Sequence, residues 1–180
     1  MSDRIMICKR HQKRSGFTLV EFLITMTIAA IFLTIAVPSY YSMMQNNRVI
    51  TFTNGMSAAF NFARIEAIKR GVRVSVCSAS SAALTSCGNA TQWNQGWIVF
   101  IDSDNNNQVD ATTNLAKVNE AAPDNVNITA SSNIVSYDGS GFVTSGSFTM
   151  TLTATSCTGY NARSLSITSS GRLSIGRTAC

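Results

Sequence analysis

The run FTLVEFLITMTIAAIFLTIAV, residues 17–37, holds twenty-one residues and a single charge, Glu21. At about 1.5 Å of rise per residue, a helix of that length crosses the roughly 30 Å hydrocarbon core of a bilayer. The run therefore predicts a membrane-crossing helix, with the basic side chains of Arg4, Lys9, Arg10, Lys13 and Arg14 before it. Positive flanks stay in the cytoplasm, so the rest of the chain is expected outside the cytoplasmic membrane. An ordinary secretory signal would carry a small-residue cleavage site after its apolar region, and none follows here. A carboxylate inside a spanning helix costs about 2.5 kcal/mol or more on insertion scales, which marks Glu21 as a functional position. Pro38 has no N–H to donate and is expected to break the helical ladder at the end of the run.

Beyond the run, Val49, Phe52, Met56, Ala59, Phe60, Ala63 and Ala67 recur at three- and four-residue intervals. That spacing predicts an amphipathic helix continuing to about Arg70, with an apolar stripe that needs a sheet to cover it. Lys69 and Arg70 followed by Gly71 form the expected stop. After Gly71 the period shortens, and strands are expected over residues 72–77 (alternating), 96–101, 126–129, 134–137, 147–154, 163–168 and 172–176. Ser169-Ser170-Gly171 would turn the last pair into a hairpin. The Ser/Ala-rich stretch 78–86 reads as a loop.

Composition narrows the function. The chain has 180 residues, 45% apolar and 13% charged, with a net charge of +5. Without residues 1–16 the balance is nine basic against eight acidic side chains, so the basicity belongs mostly to the leader. The one histidine, His11, lies there too. A chain cleaved after Gly16 has no imidazole, which excludes Ser/His/Asp and Cys/His catalysis and histidine-ligated metal. No enzyme activity and no cofactor are expected.

Ser15-Gly16-Phe17-Thr18-Leu19-Val20-Glu21, a basic leader ending in Gly and then Phe-Thr-Leu-x-Glu, resembles the signal of type IV prepilins and type II secretion pseudopilins. The resemblance implies that residues 1–16 are a leader, that a prepilin peptidase cuts between Gly16 and Phe17, and that the new amino terminus is methylated. It also implies that Glu21 pairs with the terminal amine of a neighbouring subunit and that the helix loosens near Pro38 in a filament. Ala63-Arg64-Ile65-Glu66-Ala67-Ile68-Lys69-Arg70-Gly71, Val74-x-Val76-Cys77 and Trp93-x-x-Gly96-Trp97-Ile98-Val99-Phe100-x-Asp102 are similar to the FimT/FimU/GspH family of minor pilins and pseudopilins. That resemblance implies an α+β fold: a long N-terminal helix over residues 17–71, transmembrane over 17–37 and amphipathic beyond, packed on a small antiparallel β domain of two sheets over residues 72–180. Trp93 and Trp97 read as core or loop anchors.

Cys77, Cys87, Cys157 and Cys180 form an even set in an oxidising compartment, which argues for two disulfides. Three connectivities are open, and Cys77 with Cys87 and Cys157 with Cys180 are expected because each pair closes its own local segment. The alternative, a four-thiolate zinc site, lacks C-x-x-C spacing. Asp102, Asp104, Asn106 and Asp110 supply calcium-type oxygens, but Asn107 stands where an EF-hand loop wants Gly and Thr113 where it wants Glu. A solvated turn is the other reading.

No acidic residue follows Asp138, so Arg163, Arg172 and Arg177 form the one local basic patch, a candidate for double-stranded DNA phosphates. DNA-binding FimT proteins carry a Gly-Arg-x-Arg motif. Here Leu173 and Ser174 follow Gly171-Arg172, and an unbroken strand would place Arg172 and Arg177 on opposite faces. The resemblance implies a minor pilin of a type IV pilus, held in the inner membrane with its globular domain in the periplasm, and then incorporated at or near the filament tip beside other minor pilins and the major pilin. Its alternatives are a DNA-binding minor pilin for uptake in natural transformation and a GspH-type pseudopilin of a type II secretion system.

Overall fold

The computed structural model describes residues 16–180. Helix α1 (Leu19–Arg70) is followed by β1 (Val74–Ser78), β2 (Trp97–Ile101), β3 (Leu115–Asn119), β4 (Val126–Ala130), β5 (Ile134–Tyr137), β6 (Phe148–Ala154), β7 (Ala162–Ile167) and β8 (Leu173–Thr178). Two compact units divide the chain, one ending at Ser39 and the other spanning Tyr40–Cys180. As expected of one long N-terminal helix, α1 runs on through Pro38, and the proline stands inside it. Its missing N–H removes one hydrogen bond to the preceding turn, and the remaining ladder carries the helix past it.

Within the second unit, Val49, Phe52, Met56, Ala59, Phe60, Ala63 and Ala67 are all buried, as their spacing implies. Thr53 is buried among them, its hydroxyl donating to the Val49 carbonyl at 2.7 Å. A threonine satisfied within its own helix can sit in an apolar stripe, which composition alone does not reveal. The helix closes on Gly71, whose N–H donates to the Ala67 carbonyl at 2.9 Å. In its last turn Arg70 Nε lies 2.6 Å from Glu66 and Lys69 Nζ 3.8 Å from it. The Arg70 hydrogen bond holds the Glu66 carboxyl below its ordinary range.

The strands form two four-stranded antiparallel sheets, in the orders β3-β2-β1-β5 and β4-β6-β7-β8. One core joins the helix stripe to inward residues of both sheets. At its centre Phe60 from α1, Trp93 and Phe148 from β6 form a triangle, with ring centroids 5.5 to 6.1 Å apart. Trp93 Nε1 donates to the Ser132 carbonyl at 2.8 Å, so the indole is buried with its polar atom satisfied.

β1 does not alternate as expected: all five of its residues are buried. Its second face is covered by a smaller cluster of Cys77, Ala79, Ile98 and Phe100, against which Leu84, Cys87, Val109, Leu115 and Ile134 pack. The Ser/Ala-rich loop thus roofs this sheet, and a strand covered on both faces loses its period-two signature. Cys77–Cys87 and Cys157–Cys180 are disulfides. β3, a strand the sequence did not suggest, is only partly buried at the sheet edge, so it carries little hydrophobic pattern.

Candidate functional site

At the start of the described chain Gly16 is exposed and outside any helix or strand, and Phe17 beside it is 81% exposed. The Gly16–Phe17 peptide bond is therefore open. Thr18 caps α1: its Oγ1 accepts the Glu21 backbone N–H at 3.2 Å. Thr18-x-x-Glu21 is the capping-box pattern, which sequence reading could have caught and did not. The cap lies C-terminal to the expected cut, and Glu21 in the first turn faces the positive end of the helix dipole. Residues 1–15, which carry the leader's charges, cysteine and histidine, lie outside the described residues.

The apolar run hides its polar atoms. The hydroxyls of Thr25, Thr27 and Thr34 donate to the carbonyls of Phe22, Leu23 and Ile31 at 2.9, 2.7 and 2.7 Å. In hydrocarbon an unsatisfied polar group costs several kcal/mol, so these bonds make the threonines compatible with lipid. The side chains of Phe17, Phe22, Leu23, Ile24, Ile31, Phe32 and Ile35 are all exposed. They form an apolar surface of the kind that a membrane or a protein partner covers.

The three candidate arginines are not gathered into one patch. Arg163 stands directly opposite Arg177 across β7 and β8, so both project from one face, that of buried Leu165 and Ile167. Arg163 Nε is buried and has no hydrogen-bond partner. Arg172 lies just before β8 begins at Leu173, and its carbonyl accepts the Thr168 N–H across the hairpin at 3.0 Å. Five residue steps separate it from Arg177, about 17 Å at 3.3 Å per residue. Among the described residues none of the three forms an ion pair, which reserves their charge. A fourth arginine stands at the turn end: Arg64 donates from Nε to the Gly141 carbonyl and from Nη2 to the Ser170 carbonyl, each at 3.0 Å. Nothing in its helical position singled it out.

The oxygen-rich loop does not converge on one point. Asp102 is fully buried and pairs through Oδ2 with Arg73 Nε at 2.9 Å, while Ser75 Oγ donates to the same oxygen at 3.2 Å. Ser136 Oγ lies 2.8 Å from the same Ser75 hydroxyl, and the Arg73 guanidinium donates to Asn107. Asp104 and Asp110 instead accept from the Asn106 amide, at 2.7 and 2.9 Å. An amide nitrogen thus sits where a cation would, and among the described residues no cluster of three or more His, Cys, Asp or Glu can hold a metal. Asn105 and Asn107 take positive φ angles of 62° and 63° in this turn, a conformation asparagine tolerates.

A long helix, two small antiparallel sheets and an exposed Gly-Phe-Thr junction can now be set beside known proteins. The family model of the type II transport protein GspH matches residues 53–171, more than half of the chain. The chain belongs to the GspH family. At the other end of this GspH-family protein, the prokaryotic N-terminal methylation motif matches residues 11–37. Its fold is similar to that of the Pseudomonas aeruginosa (strain PAO1) type IV minor pilin FimU. In space group P21 the TM-score is 0.58 at 13% identity, covering 72% of this chain and 89% of FimU. In space group P65 it is 0.52 at 15%, covering 68% and 88%. No curated protein sequence matches the chain.

Proposed function

We propose that this GspH-family protein is a minor pilin of a type IV pilus, assembled at or near the filament tip. The observation that carries the reading is the junction at Gly16–Phe17, exposed within a methylation motif and followed at once by a capped apolar helix. In this reading prepilin peptidase removes residues 1–16, and Phe17 supplies the methylated amine. The helix then holds the protein in the inner membrane, with the β domain in the periplasm. On assembly Glu21 pairs with the terminal amine of a neighbour, Pro38 is the point where α1 loosens, and the β domain meets other minor pilins and the major pilin at the cell surface. The mechanism is assembly, not catalysis. Mass spectrometry of the protein from sheared pili tests it: the expected chain begins at Phe17 and carries one added methyl group. Glu21→Ala should leave processing intact and remove the protein from the pilus fraction. Recovery in pili of a chain still carrying residues 1–16 would overturn the reading, and so would its presence only in a secretion complex, the pseudopilin alternative.

A DNA-binding role has one observation in its favour. Like charges directly opposite on a sheet repel, and Arg163 and Arg177 do so without an acidic neighbour, a pair that a bridging phosphate would relieve. Titration with duplex DNA at low and moderate salt, comparing the wild type with Arg163→Gln/Arg172→Gln/Arg177→Gln, tests this. Salt-sensitive binding lost in the variant supports uptake of DNA, and absence of binding at low salt removes it.

A further inference from the structure

We propose that Tyr40 and Tyr41 form an aromatic anchor at the outer lipid–water interface, which sets the depth of the helix before assembly. This rests on the membrane-anchored reading above. The uncharged part of the helix is longer than one crossing needs. From Phe22 through Asn47 twenty-six consecutive residues carry no charge. A helix needs about twenty to cross the hydrocarbon core, so about six residues, or roughly 9 Å, are left over. Hydropathy alone therefore does not fix where the helix stops: it can slide along its axis by that slack without dragging a charge into lipid.

Something within the surplus has to choose the depth, and the two tyrosines are suited to it. They come three and four residues after Val37, the last of the apolar run, are 57% and 64% exposed, and lie within the helix with ring centroids 6.5 Å apart at 70°. Tyrosine prefers the headgroup layer because its ring is apolar and its hydroxyl needs water. Beyond them the chain becomes polar at Gln45, Asn46 and Asn47 and reaches its first cation at Arg48. Twenty residues of helix, about 30 Å, separate Glu21 from Tyr41, which equals one hydrocarbon thickness. An anchor at Tyr40 and Tyr41 thus holds Glu21 at the cytoplasmic boundary rather than in the apolar middle. The Gly16–Phe17 bond then stands beyond that boundary, within reach of a peptidase.

Accessibility of single cysteines in the full chain tests the anchor. Cys8→Ser removes the leader thiol, and Ile31→Cys, Met43→Cys, Met44→Cys, Gln45→Cys, Ala58→Cys and Thr51→Cys are introduced one at a time. The protein is reconstituted alone in phosphatidylethanolamine/phosphatidylglycerol vesicles with its β domain outside, so that no partner pilin covers the tyrosines. A membrane-impermeant maleimide should label position 51 and not 31, with the boundary at 43–45. In Tyr40→Leu/Tyr41→Leu the boundary should move about one helical turn toward Arg48, and in Tyr40→Trp/Tyr41→Trp it should stay. A boundary unmoved in the leucine variant, with position 31 still protected, overturns the anchor alone. Labelling at 31 as strong as at 51 overturns the membrane reading on which it rests.

Discussion

Asp102 and Arg73 illustrate how a single pair holds an end of the first sheet. Asp102 is fully buried, and Arg73 is its only charged partner among the described residues. Removing either partner leaves the other charge with poor compensation, so Arg73→Ala should lower unfolding free energy by about 3 to 5 kcal/mol in a denaturant titration. Replacing both should cost less than the sum of the two single changes. Tyr137 gives a pH dependence. Burial raises its phenol well above the ordinary value of 10, with the nearby Arg64 opposing in part. Between the unfolded and folded values only the unfolded chain loses its proton, so stability falls as pH rises above about 10. Tyr137→Phe should flatten that alkaline decline in a melting-temperature profile. Neither effect was legible beforehand: the family-like motif contains Asp102, but its partner lies 29 residues earlier in the chain and meets it only through strand pairing.

At the scale of elements, α1 carries the aromatic triangle and the most informative glycine. Phe60→Ala empties the ring contact shared with Trp93 and Phe148 and should cost about 3 to 5 kcal/mol. Gly55 lies mid-helix, and a methyl group there would sit 3.7 Å from the Trp97 ring, an ordinary contact. Gly55→Ala should therefore stabilise the helix by about 0.5 to 1 kcal/mol, read as a higher melting temperature. Gly171 is the opposite case: its φ of 77° favours glycine, and a Cβ would collide with the Gly141 carbonyl and approach Arg64 Nε to 2.9 Å. The β7–β8 turn is thus pressed against Arg64, which donates to the Ser170 carbonyl. The last hairpin is also tied by Cys157–Cys180, with a sequence separation of 23. Opening that bond by Cys157→Ser/Cys180→Ser should cost about 3 kcal/mol through loop entropy, measurable by chemical denaturation.

For the whole molecule, every residue of the two buried clusters comes after Tyr40. Residues 40–180 should accordingly unfold in one cooperative transition with both disulfides intact, checked by calorimetry and peptide mapping. A chain that aggregates or melts without a transition would show that the apolar run is needed for folding as well as anchoring. The sequence by itself determined the apolar helix, its continuation as a buried stripe, the α+β class and the N-terminal methylation motif, because these are set by local periodicity and by residues adjacent in the chain. The tertiary structure decided which strand joins which sheet: β4 pairs with β6 in one sheet although β3 and β5 on either side of it belong to the other. It also decided that β1 is buried on both faces, that Asp102 faces Arg73 rather than Asp104, and that Arg163 meets Arg177 while Arg172 stands apart. Those outcomes depend on strand register and on loops folding back over a sheet. They are long-range choices among pairings of similar local propensity, which a period read along the chain does not separate.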